Sequence, residues 1–173
     1  MPALSRSHLA LGLALLAAVV LGFAIFSDSD EDLILARVKE LASAVETKEG
    51  ESIIFRRARI GGVFKEALEP TVTLTAPELP TTTGIKELAD LASIAPRAYG
   101  ELGLSVGETD IQIEKAANQA RVVSRITVTG SAGGELRREA RHVRFLFHES
   151  GGDWRVTSID VDRRSDDQPE ARP

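Results

Sequence analysis

The stretch Glu135 to Asp162, E-L-R-R-E-A-R-H-V-R-F-L-F-H-E-S-G-G-D-W-R-V-T-S-I-D-V-D, decides the fold. Val143, Phe145 and Phe147 fall at alternate positions among His142, Arg144 and His148, and Trp154 and Val156 resume the alternation after Gly151 and Gly152. A period of two marks a strand with one apolar face, and the Gly-Gly break is short enough to predict an antiparallel hairpin. The same period runs upstream through Thr109 to Lys115 and Ala120 to Thr129, separated by Asn118-Gln119 and by the turn residues Gly130 to Gly134. Four strands in succession with short connections predict an antiparallel meander. One face collects Ile111, Ile113, Val122, Ile126, Val128, Val143, Phe145, Phe147, Trp154 and Val156. Gln112, Glu114, Arg121, Arg125, His142, Arg144 and His148 fall on the other.

Before Thr109 the apolar period is helical. Ser29 and Asp32 form a candidate capping box, and Leu33, Ile34, Val38, Leu41, Ala42 and Val45 follow at helical spacing toward an end near Gly50. A second helix is expected from Ser52, with Ile53, Ile54, Ala58, Ile60, Val63, Phe64, Ala67 and Leu68 on its apolar side and Arg56, Arg57 and Arg59 on its wet side. Gly61 and Gly62 point to a break or a close helix contact, and Pro70 is expected to stop the helix. Thr71 to Ala76 alternates as a strand, Pro77 and Pro80 predict a loop, and Thr83 is a candidate N-cap. A third helix through Ile85, Leu88, Leu91, Ala92 and Ala95 is expected to end at Pro96 or Gly100.

The run Leu9 to Phe26 carries no charge and no proline, and acids at Asp28, Asp30, Glu31 and Asp32 close it. Its roughly 18 residues span about 27 Å as a helix, close to a hydrocarbon core of about 30 Å. Arg6 and His8 precede it, so residues 1–8 are expected in the cytoplasm and the rest outside, periplasmic or extracellular, on a single-pass membrane anchor. The rival is a cleaved secretory signal, for which the residues before possible cuts, Ala24-Ile25-Phe26 and Ser27-Asp28-Ser29, fit poorly. Residues 27–164 then form one domain, and the polar tail 165–173 is expected to be disordered.

Composition narrows the function. The chain has no cysteine, which removes disulfides and thiol chemistry. A net charge of -5, one Trp and one Tyr argue against nucleic acid as a partner. No metal-ligand cluster, serine triad or cofactor loop is present: His142 and His148 lie six apart on one strand, about 20 Å, too far to share a metal. No catalytic residue, metal or cofactor is therefore assigned.

Three helices, an intervening strand and four closing strands resemble the nuclear transport factor 2-like superfamily. The likeness lies in F-K-E-A-L-E-P-T-V-T-L (Phe64 to Leu74), G-I-K-E-L-A-D-L (Gly84 to Leu91), H-V-R-F-L-F (His142 to Phe147) and D-W-R-V-T-S-I-D-V (Asp153 to Val161). It implies an α+β fold: a strongly bent, mostly antiparallel sheet wrapped around three helices, a cystatin-like cone, here behind one transmembrane helix. The cone's mouth holds an active site in ketosteroid isomerases, scytalone dehydratases, limonene epoxide hydrolases and polyketide cyclases. The isomerase pattern puts its aspartate base before a proline ending the first strand. Pro77 and Gly84 align with that pattern and leave Ala76 where the carboxylate belongs, with Glu78 two residues on.

Ligand-pocket candidates are therefore Glu78, Tyr99 as an oxyanion donor, and Phe145, Phe147 and Trp154 as walls. The stripe Arg121, Arg125, His142 and Arg144 is a candidate docking face for an acidic partner or anionic lipid, the plainer reading being cross-strand pairing with Glu114 and Glu139. Two classes compete. One is a membrane-anchored, non-catalytic binding or assembly module with an envelope protein or a second copy as partner. The other is a small apolar-ligand binder or enzyme of isomerase, cyclase or hydrolase type using the cone cavity.

Overall fold

The computed structural model describes residues 29–132 and 135–162. The expected cytoplasmic N-terminus, anchor and C-terminal tail lie outside the described residues, among which no helix is long and apolar enough to cross a membrane.

Helix α1, Asp30–Val45, opens on the expected capping box, in which the Ser29 hydroxyl accepts from the Asp32 N–H and the Asp32 carboxylate accepts from Ser29. Asp30, Glu31 and Asp32 complement the positive end of its dipole. Its buried stripe, Ile34, Val38, Leu41 and Ala42, follows the helical repeat. Helix α2, Ile53–Ala67, starts on a Ser52 cap and buries Ile60, Phe64 and Ala67.

Several expectations for α2 change. Arg56 is buried rather than wet, because its Nε meets Glu51 at 3.4 Å. Arg59 bonds Glu51 at 2.7 Å and also donates to the Ala44 and Glu46 carbonyls at 2.6 and 3.0 Å. It thereby satisfies carbonyls that the end of α1 leaves without helical partners. Ile53 and Ile54, expected on the apolar side, are by contrast 42% and 76% exposed, as is the neighbouring Phe55 at 70%, since the first turn of α2 projects past the core. The helix also runs unbroken through Gly61 and Gly62, where an added Cβ would meet nothing within 4 Å.

The helix ends at Ala67, not Pro70, and the chain passes directly into strand β1, Leu68–Ala76. Pro70 lies inside the register shift between Leu68 and Thr73, where its missing N–H breaks no ladder bond. The expected Pro77–Pro80 loop is only a tight turn, because strand β2, Leu79–Thr83, pairs back on β1. Pro80 is tolerated there since β2 forms an edge of the sheet. The cap of helix α3, Ile85–Ile94, is Gly84 rather than Thr83. Its φ of 98 lies in a region that favours glycine, and its N–H bonds the Val72 carbonyl at 2.9 Å. A four-residue helix α4, Pro96–Tyr99, follows, then Gly100, where any Cβ would collide with the Ser131 carbonyl.

Strands β3 (Leu102–Glu114), β4 (Gln119–Ala132), β5 (Glu135–Ser150) and β6 (Asp153–Val161) form the expected antiparallel meander, with β3 starting seven residues before the expected Thr109. The sheet order is β2-β1-β6-β5-β4-β3, and β1 lies parallel to β6. The sheet is therefore mixed, because the first strand enters beside the last. Irregular registers at Val106/Thr109 and Leu146/Phe147 bend it. The α+β architecture with three main helices on one sheet face stands as expected.

One core joins the layers. Ile34, Val38, Ile60, Phe64 and Leu88 from the helices meet Val122, Val143, Phe145, Phe147 and Val156 from the sheet.

Candidate functional site

The inner face of the sheet is packed where the sequence placed pocket walls. Phe145, Phe147 and Trp154 are brought together, but at 4%, 1% and 5% exposure they belong to the core. The two phenyl rings sit tilted with centroids 6.4 Å apart. The Trp154 indole donates to Asp30 at 3.2 Å, and Lys115 approaches the same carboxylate at 3.3 Å. These bonds hold the Asp30 carboxyl below its usual pKa, the Trp154 bond being the larger cause.

Glu78 stands apart from that aromatic group. It occupies the β1–β2 turn with an exposed side chain, and both its oxygens accept from Arg141 Nη1, at 2.8 and 2.9 Å. Ala76 pairs with Leu79 across the turn. Arg141 was missed by reasoning from sequence. It shares the inner face with Val143 and Phe145 and bonds Glu139 two residues away at 2.5 Å. Burial works against its charge, but the bonds to Glu78 and Glu139 outweigh this and hold the guanidinium above the usual arginine range. The signal was legible: continuing the Phe147, Phe145, Val143 alternation backward reaches Arg141 and Glu139, a charged pair at inward positions. Tyr99 closes α4, and its side chain lies outside the described residues.

The outer face carries the basic stripe as a contiguous group. Arg125 faces His142 across the ladder, Val123 faces Arg144 and Arg121 faces Leu146. Glu139 opposes Val128 and points inward with Arg141, on the face away from the stripe. Glu114 opposes Gln119 and makes no ion pair with Arg121 among the described residues. Among the described residues, only Arg144 of the stripe has an ion pair, to Asp162 at 3.2 and 3.3 Å. No group of three His, Asp or Glu side chains among the described residues could hold a metal.

Depressions on the surface of the described residues include one on each side of the sheet's β5–β6 end. The larger, about 460 Å³, lies on the outer face over β3, β4 and β5 and includes Gln112, Glu114, Arg121, Leu146 and His148. The smaller, about 180 Å³, lies between α1 and the β5–β6 turn. Arg37 lines it while bonding Glu40 and Asp153 at 2.9 and 3.1 Å.

No family model matches the chain, and no curated protein matches it by sequence. Solved structures do match. An NTF2-like protein with a cystatin-like fold from Novosphingobium aromaticivorans superposes with a TM-score of 0.60 at 15% identity, over 91% of this chain and 88% of that one. A hexachlorocyclohexane dehydrochlorinase, LinA type 2, gives 0.63 at 13% identity, over 76% and 83%. The CaMKII hub of S. rosetta gives 0.60 at 12% identity, over 79% and 98%. The domain thus has the nuclear transport factor 2-like, cystatin-like fold.

Proposed function

We propose that this chain is a non-catalytic binding or assembly module, anchored by residues 9–26 and presenting the outer face of its sheet to a partner outside the membrane. The observation that carries the reading is the packed interior: Phe147 and Trp154, the expected pocket walls, are 1% and 5% exposed within a continuous core. The fold itself serves both a hub and a dehydrochlorinase, so it does not choose between the classes. At the inner face, Arg141 is bound between Glu78 and Glu139 as a clasp between the β1–β2 turn and β5. On the outer face Arg121, Arg125 and His142 have no ion pair among the described residues. A membrane anchor fixes position, and a fixed position serves a module whose partner is also fixed.

Trp154 is the single tryptophan, so its emission reports on the interior. Titrating the detergent-solubilised full chain with a fatty acid is expected to leave that emission unshifted. Saturable binding with a shifted emission would replace the module with the cavity-using ligand binder or enzyme. The anchor is tested separately: alkaline extraction of cells should leave the full chain in the membrane pellet, and deleting residues 9–26 should release it. Full-length chain in the soluble fraction would remove the anchor.

A further inference from the structure

The depression on the outer face gathers opposite charges that have not paired. Glu114 faces Gln119, and Gln119 faces His148; one row along, Gln112 faces Arg121, and Arg121 faces Leu146. Glu114 and Arg121 are thus diagonal neighbours, about 7–8 Å apart at their backbones. Neither forms an ion pair among the described residues. The Gln119 carboxamide stands beside them, the Gln112 amide donates to Asp110 at 3.0 Å on the far side of Arg121, and Leu146, 39% exposed, supplies an apolar patch.

From this geometry we infer that the depression binds the zwitterionic headgroup of a membrane lipid, a phosphate joined to a primary ammonium as in phosphatidylethanolamine. Arg121 supplies paired N–H donors to the phosphate, with His148 at the same rim. Glu114 accepts from the ammonium. A purely anionic headgroup would leave Glu114 facing negative charge, so the acid that weakens a simple anion site is what selects the zwitterion. Leu146 meets the apolar part that follows the phosphate.

Position supports the membrane as the source, and in this the inference rests on the proposed anchor. Lys115 follows Glu114 directly and contacts Asp30, the first residue of α1. Phe26, the last residue of the apolar run, precedes Asp30 by only about 14 Å of extended chain. The depression therefore sits at the end of the sheet nearest the start of α1.

Native mass spectrometry of the full chain in detergent, with short-chain phosphatidylethanolamine and phosphatidylglycerol, tests the assignment. The ethanolamine lipid should bind more tightly. Glu114→Gln should weaken it about tenfold and, by removing a repelling charge, strengthen binding of the glycerol lipid, while Arg121→Gln should weaken both about tenfold. Equal affinity of the unmodified chain for the two lipids, or an unchanged preference in Glu114→Gln, would overturn the site. Free glycerophosphoethanolamine should compete only weakly, and binding as tight as the lipid's would make the ligand a soluble zwitterion instead. Truncation after Asp162 should leave lipid affinity unchanged, whereas a large gain would show the chain's own tail to be the occupant. Full chain that pellets with membranes but shows no lipid preference removes this site alone. Full chain in the soluble fraction removes the anchor beneath it.

Discussion

Phe147 and Leu146 are neighbours in one strand, yet the first is 1% exposed and the second 39%. The contrast repeats along β4, where Val122 and Ser124 are fully buried while Arg121 and Arg125 stand in solvent. The two faces of the same strands differ in commitment. Inner side chains are bound to partners within the fold: Phe147 to the core, Ser124 to Thr109 at 2.9 Å, Arg141 to its two carboxylates. Among the described residues the outer side chains are less tied: Arg144 bonds Asp162 and Gln112 bonds Asp110, while Arg121 and Arg125 have no ion pair. Surface left unclaimed by folding is what a partner can use, and for this reason the outer face is the better place to look for function.

The sharpest way to break that contrast is to truncate both neighbours. Phe147→Ala removes a fully enclosed ring and is expected to cost about 3–5 kcal/mol, through lost burial and the cavity left behind. Leu146→Ala is expected to cost less than about 1 kcal/mol. Urea unfolding followed by circular dichroism measures both. Comparable losses would mean that Leu146 is packed as firmly as Phe147 and that the outer face is not free.

An intermediate effect belongs to the polar edge of the inner face. Arg141→Met keeps the aliphatic stem and removes the charged bonds to Glu139 and Glu78. Hydrogen bonds to charged groups are worth about 1.5–3 kcal/mol, and partial solvent access lowers the expected loss to about 1–2 kcal/mol. A loss near zero in the same denaturation measurement would show that the clasp does not fasten the β1–β2 turn to β5, and would free Arg141 for a ligand.

The division between the faces was legible in the sequence because a period of two leaves little choice about which side chains point together. That is why Arg121, Arg125, His142 and Arg144 emerged as one group, and why Phe145, Phe147 and Trp154 emerged as another. Whether the aromatic group would line a void or fill one could not be read there. Filling depends on how deeply Ile34, Val38, Ile60 and Phe64 of the helices press against the sheet, which no pattern within one strand encodes. Proline misled twice. Pro70 and Pro80 were read as breaks, but one falls in a register shift and the other on an edge strand, the places where a missing N–H does no harm. Arg56 and Arg59 misled through composition. A helix surface rich in arginine reads as solvated, but Glu51 and the carbonyls ending α1 supply acceptors close by. The parallel pairing of β1 with β6 lay beyond any local signal, since it joins residues at opposite ends of the domain.

The smallest expected effect is also the most informative about the outer face. Arg125→Gln should alter stability by less than about 0.5 kcal/mol, because the guanidinium has no ion pair to lose among the described residues. Arg144→Gln removes the bond to Asp162, yet both side chains are about half exposed, at 42% and 51%, so its cost should stay below about 1 kcal/mol. Added salt separates the two: at about 1 M the screening length falls to about 3 Å, so any loss caused by Arg144→Gln should shrink while Arg125→Gln stays flat. A destabilisation of Arg125→Gln that persisted in salt would mean that its aliphatic stem is packed against the sheet. The residue would then belong to the committed part of the molecule, and the stripe would lose its centre as a docking face.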